Sequence, residues 1–178
     1  MTSDASSGTF TAGPPPPGRY ALDPERTTVR ADVKAMFGLL TVHGTFRLRA
    51  GQVTIAADPG ASGVQASIDA GSFASGNATR DKDVVSAALL DAGTYPEITF
   101  TGQQARREGD EWVVPGSVTA HGTAVPAELR VTEARPDGAG ARFRATTRLD
   151  RTSFGLTRKK GMVGRTVDLV IEAVADPS

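Results

Sequence analysis

From Tyr20 onward, apolar residues recur at every second position through one run after another. A period of two is that of a β-strand with one face turned to a core and the other to water. Val29, Ala31, Val33 and Ala35 share a face opposite Thr28, Arg30, Asp32 and Lys34. Leu40, Val42, Phe46 and Leu48 do the same opposite Thr41, His43, Thr45, Arg47 and Arg49, with Gly44 on the apolar side, where a bulge or sharp bend is expected. Further runs carry Val53, Ile55 and Ala57; Val64, Ala66, Ile68 and Ala70; Ile98 and Phe100; Trp112, Val114 and Val118. The last are Val125, Ala127, Leu129 and Val131; Ala141, Phe143, Ala145 and Leu149; Val167, Leu169, Ile171 and Ala173. Turn chemistry divides them at Asp58-Pro59-Gly60, Arg107-Glu108-Gly109-Asp110 and Arg135-Pro136-Asp137-Gly138.

Such a chain is all-β and antiparallel, either a barrel or a two-sheet sandwich. Closure would remove the edges that so many strands otherwise have to protect, but periodicity alone does not separate the two. One segment breaks the pattern. From about Asp81 to Leu90 the spacing predicts a short helix, with Val84, Val85, Ala88 and Leu89 on one apolar face, acidic residues at its start and Gly93 past its end. It is expected to cap one barrel end. The inward faces are rich in Ala, which leaves a cavity unless larger residues opposite fill the space; a compositional habit of the source genome gives the same pattern.

Lys plus Arg and Asp plus Glu number 20 each, so no global field draws the chain to nucleic acid or an anionic membrane. No run of ~18 apolar residues occurs, which argues against a membrane-spanning helix. There is no cysteine, hence no disulfide and no thiolate metal site. The first 18 residues lack the basic start and apolar core of a secretory signal, so the expected location is cytoplasmic. With Pro14, Pro15, Pro16 and Pro17 in series, residues 1–18 read as a flexible Ser/Pro-rich tail in extended polyproline form. A docked or partner-binding arm is the other use of such a segment. Residues 19–178 make one domain.

The residues offer little for catalysis. His43 and His121 would need carboxylates to complete a metal site, and both precede Gly in strand-like segments, which suits a turn or surface role. No G-x-S-x-G elbow, Walker loop or G-x-G-x-x-G occurs. Phe46, Phe100, Trp112 and Phe143 fall on inward faces, away from any outer surface that would stack bases. The expectation is therefore no catalytic residue, no metal, no cofactor and no nucleic-acid partner. Arg158-Lys159-Lys160-Gly161-Met162-Val163-Gly164-Arg165 is the one local basic cluster. It reads as a solvated loop, or as a gate attracting an anionic head group while Met162 touches the ligand's apolar part. Asn77-Ala78-Thr79 fits a glycosylation acceptor only formally.

Five motifs in order carry a resemblance. Arg80-Asp81-Lys82-Asp83-Val84-Val85-Ser86-Ala87-Ala88-Leu89-Leu90-Asp91-Ala92-Gly93-Thr94-Tyr95-Pro96-Glu97-Ile98-Thr99-Phe100 resembles an R-D-x-H-L-x-S-x-x-F-F-D-x-x-x-Y-P-x-I-x-F signature. Tyr20-Ala21-Leu22-Asp23 resembles Y-x-I-D, and Thr41-Val42-His43-Gly44-Thr45-Phe46 resembles T-V-R-G-x-F. The segment from Val118 to Pro126 resembles L-T-I-H-G-V-T-K-P, and Leu149-Asp150-Arg151-Thr152-Ser153-Phe154-Gly155 resembles I-N-R-S-D-F-G. Together, from Tyr20 to Val174, the chain resembles the YceI-like, lipocalin-like family. Two departures stand out: Ala35 and Asp83 occupy positions where that family commonly has histidine, which leaves the ligand's head group open.

The resemblance implies an antiparallel β-barrel of about eight strands with one capping helix, around an apolar tunnel for polyisoprenoid lipids. The implied activity is binding rather than catalysis: carriage or sequestration of a long-chain isoprenoid lipid, polyprenyl or quinone-type, without stable membrane insertion. The implied tunnel wall is Val33, Leu40, Val42, Phe46, Val84, Ala88, Leu89, Phe100, Trp112, Leu129, Phe143, Ala145, Leu149, Met162, Leu169 and Ile171. Arg80 with Asp81, and Asp150 with Arg151, are expected to brace loops at the barrel mouth. A homodimer is compatible with an exposed tunnel mouth that a second subunit covers. The alternative is a filled barrel whose exterior or Pro-rich arm binds a protein, as a stress-related interaction module.

Overall fold

The computed structural model describes residues 13–157 and 163–178. The strands are β1 (Gly18–Leu22), β2 (Thr28–Ala35), β3 (Leu40–Ile55), β4 (Gly63–Ala74), β5 (Glu97–Gln103), β6 (Arg106–Glu108), β7 (Glu111–Ala120), β8 (Thr123–Asp137), β9 (Gly140–Asp150) and β10 (Val163–Pro177). All pairings are antiparallel. They run β10-β2-β3-β4-β5-β7-β8-β9, and β9 returns to β10, so the sheet closes into an eight-stranded barrel. The choice that periodicity left open falls to the barrel.

β1 and β2 form one broken stave between β3 and β10. Residues 23–27 separate them, and one side-chain and one backbone hydrogen bond to Val174 bridge the break. The Val174 amide donates to Thr27 Oγ1 at 3.3 Å, while the Asp23 amide donates to the Val174 carbonyl at 2.8 Å. Buried backbone groups need such partners.

Two parity changes in the apolar pattern have a common cause. β3 is one continuous strand, although its apolar residues switch from even positions (Leu40 to Leu48) to odd ones (Val53, Ile55). The register slips between Leu48 and Ala50 opposite Ile68 and Ser67, and one bulged residue swaps the faces. A second slip, between Val131 and Glu133 in β8, likewise turns Ala134 inward after Val131.

The helix corrects the expected span of about Asp81 to Leu90. Helix α1 covers Ala78–Val85. Asn77 starts it early by accepting from the Arg80 amide at 3.0 Å, and Ser86 ends it by bonding back to Asp83. Residues 87–90 continue as turns, and α1 packs against β4 rather than presenting a four-residue apolar face.

The β2–β3 hairpin turns through Met36, Phe37 and Gly38 at φ of 51°, 56° and 87°, and its apolar tip stands in water. Phe37 and Leu39 are 81% and 83% exposed. On the outer face the balanced charges appear as cross-strand pairs such as Arg148–Asp168 at 2.7 Å and Arg130–Glu111 at 2.9 Å. Exposed pairs of this kind contribute little stability each. The core is inside the barrel, in two clusters around Val29, Leu48 and Ile68 and around Phe100, Val118 and Ala145.

Candidate functional site

The barrel interior is not filled. A cavity of about 330 Å³ runs inward from the end where β3 finishes and β4 begins, a volume at the lower end of ligand pockets. Inward side chains therefore keep partial exposure despite facing the core: Phe143, Leu169, Ile171, Trp112 and Leu129 are only half-buried. They face space instead of packed neighbours, as the tunnel reading expects and the alternative of a filled barrel does not.

Of the expected wall, Phe100, Trp112, Leu129, Phe143, Ala145, Leu169 and Ile171 border this cavity. The others do not. Val33, Val42, Phe46 and Leu149 lie farther along the same inward rows, toward the β2–β3 hairpin end, beyond the wall residues Val29, Leu48 and Thr147. Phe46 packs there on Phe73, with ring centroids 5.2 Å apart. Leu40 corrects its inward assignment: it stands at the hairpin, 56% exposed, because the barrel has already ended. Val84 lies on α1, half-buried, while Ala88 and Leu89 fall in the turns after the early helix end; none of the three touches the cavity. Met162 and residues 158–161 of the basic cluster lie outside the described residues.

The wall contains residues not singled out in advance, among them Leu48, Val53, Ile68, Ile98 and Val118. All belong to the alternating inward sets, so the pattern marked them without ranking them. Pro14, Pro15 and Pro17 are the larger surprise. Pro15 is buried, and Tyr20 Oη donates to the Pro16 carbonyl at 2.6 Å. The segment expected to be flexible up to Gly18 is thus seated from Pro14 across the barrel end. The available signal was that a stiff run of four prolines precedes the first strand with no linker between.

The chemistry of the wall is sparse. Its hydroxyls are those of Thr54, Ser62, Thr99 and Thr147, and among the described residues no ionisable side chain borders the cavity. Two of these hydroxyls are committed to the backbone: Thr147 donates to the Glu128 carbonyl at 2.9 Å, and Ser62 accepts from the Ala56 amide at 2.9 Å. Trp112 is held by the Arg107 guanidinium, 5.2 Å from its ring centroid. Such a wall offers a ligand shape and apolar contact and few polar groups.

The titratable motifs lie elsewhere and brace the fold. His43 pairs with Asp32 at 2.6 Å on the outer face; His121 Nδ1 lies 3.1 Å from the Phe154 carbonyl, with the Tyr95 ring tilted against it at a centroid distance of 5.0 Å. Among the described residues no three His, Cys, Asp or Glu side chains are grouped to hold a metal. Asp81 accepts from both the amide and hydroxyl of Ser75, at 2.9 and 2.5 Å. The Arg151 guanidinium, buried, donates to the carbonyls of Gly164, Leu156 and Val163 at 2.8, 2.6 and 2.9 Å. Burial lowers its proton affinity somewhat, and neighbouring Asp150 opposes this. Asp150 itself accepts from the Thr152 hydroxyl and amide and from Arg165, contacts that hold its carboxyl below the usual range.

A YceI-like domain model matches residues 20–175, the whole barrel. The chain belongs to the YceI-like family. A UPF0312 protein of Pseudomonas putida is 32% identical over 170 residues, covering 91% of this chain and 88% of its own. The YceI protein of Salmonella arizonae is 29% identical at the same coverage. Among solved structures, BcnA of Burkholderia cenocepacia superposes with a TM-score of 0.77 at 25% identity, covering 86% of this chain and 98% of its own. A Saccharophagus degradans domain described as polyisoprenoid-binding, and implicated in plant cell wall breakdown, gives 0.67 at 16% identity, with 89% and 98% covered. That degree of likeness speaks for this YceI-like chain's fold.

Proposed function

We propose that this YceI-like protein binds an isoprenoid lipid in the barrel cavity and carries or sequesters it away from water. The observation that carries the reading is a cavity walled by Val, Leu, Ile, Phe, Ala and Pro with no ionisable neighbour, inside a closed barrel. Each CH₂ moved from water into such a wall contributes about 0.8 kcal/mol, so a branched hydrocarbon chain binds tightly without polar contacts. The description of the S. degradans domain supports the same class of ligand. The cavity's modest size favours an isoprenoid of few units, or the near end of a longer polyprenyl or quinone tail.

The test is a titration with geranylgeraniol, followed through the fluorescence of Trp112, the single tryptophan. The wild type is expected to saturate at one ligand per chain. Ala145→Phe, which projects a ring into the cavity, is expected to lose binding while keeping its far-ultraviolet circular dichroism spectrum. Unchanged binding by that variant would sink the cavity as the site.

A further inference from the structure

The proline run has a chemical property that matters at an apolar opening. Residues 14–17 are four consecutive prolines, and proline has no backbone N–H. At the buried position 15, between exposed Pro14 and Pro16, any other residue would bring a backbone N–H to an apolar opening without a polar partner. The proline run exposes only carbonyls, and the Pro16 carbonyl is taken by Tyr20 Oη at 2.6 Å. Polyproline is also pre-ordered, so seating it costs little conformational entropy.

Its placement fits that chemistry. Pro14, Pro15 and Pro17 border the cavity, and Pro15 is buried. The rod is tied at one end to β1, whose Tyr20 is 4% exposed and pairs with Pro177 and Val53. Ala56, Ala57 and Pro59, which follow β3, border the cavity at the same barrel end.

We propose that residues 14–17 are part of the ligand site: the proline rod is the end wall of the cavity, limits the length of hydrocarbon chain admitted, and shifts aside when ligand passes. This rests on the lipid-binding reading, and it assigns the specificity for chain length to a segment ahead of the matched domain, which starts at residue 20.

The experiment uses the full chain in three forms: wild type, the triple variant Pro14→Gly, Pro15→Gly, Pro17→Gly, and Tyr20→Phe, which removes only the hydroxyl and keeps the packed ring should the triple variant misfold. Farnesol, geranylgeraniol and solanesol, differing in the number of isoprene units, are the probes. The wild type is expected to prefer the shorter two. The triple variant should narrow that preference and release geranylgeraniol about tenfold faster; Tyr20→Phe should shift release the same way by about fivefold, one hydrogen bond's equivalent. Acrylamide quenching of Trp112 without ligand reads closure independently, and should rise in both variants. Identical length preference, release and quenching in all three proteins would overturn the proposal. Increased quenching with no probe bound by any form would uphold the closing rod and reject the lipid reading instead.

Discussion

The Phe73 ring occupies the space that Gly44 leaves open: a Cβ at Gly44 would overlap the ring's Cε2 and Cζ atoms. Phe46 contacts the same ring, so a half-buried aromatic pair from neighbouring strands packs over Gly44. Glycine here serves packing rather than a special backbone angle. Gly44→Val is expected to destabilise the protein by about 1–3 kcal/mol, the usual result of overpacking, measured as a lower urea midpoint with an unchanged slope.

Two leucines of β3 separate the barrel from its hairpin. Leu48 is 5% exposed in the first core cluster, and Leu40 is 56% exposed at the tip. Leu48→Ala should cost about 2–5 kcal/mol, while Leu40→Ala should stay within about 0.5 kcal/mol. Equal losses in chemical denaturation would contradict the assignment of Leu40 to water.

Arg151 ties three carbonyls on both sides of the segment between Thr157 and Val163. Arg151→Ala leaves those acceptors without their donor and should cost about 3 kcal/mol or more. Arg151→Lys should recover only part of it, since one ammonium cannot span the planar fork's geometry. Thermal unfolding of the two variants orders them.

Asp150 sets a pH signature. Its folded-state carboxyl is held low, first by the Thr152 hydroxyl, then by the Thr152 amide and Arg165. A depressed carboxyl contributes stability that is present above the unfolded value of about 3.9 and is lost as pH falls through the folded one. Asp23, held low chiefly by Arg26, acts the same way. The difference in melting temperature between wild type and Asp150→Asn should therefore be present at pH 7 and close as pH drops below about 4.

The architecture was legible because a period of two survives averaging: the inward sets around Ile68, Leu129 and Ile171 name the strands and the faces. Closure was not, since β9 meeting β10 is a relation between distant residues that no local pattern encodes. Alternation also fixes the face but not the depth, so Phe143 and Phe46 look equivalent although only Phe143 reaches the cavity. Ala88 and Leu89 went astray through one local event, the Asn77 cap and Ser86 stop, which local hydrogen bonds decide over apolar spacing, whereas Val84 stays on a helix that packs against β4 without bordering the cavity. The seated prolines fit the docked arm that the sequence offered beside the flexible tail, and composition alone favours the tail because it does not show that an apolar opening lies beneath the segment.

Purifying the protein without detergent from its native source, and recording its native mass beside mass spectrometry of the organic extract, tests the central claim most directly. The account predicts an isoprenoid at one molecule per chain, released by solvent and matched by the excess in native mass. A folded protein at bare sequence mass, which also fails to take up isoprenoid when offered it, would contradict the account.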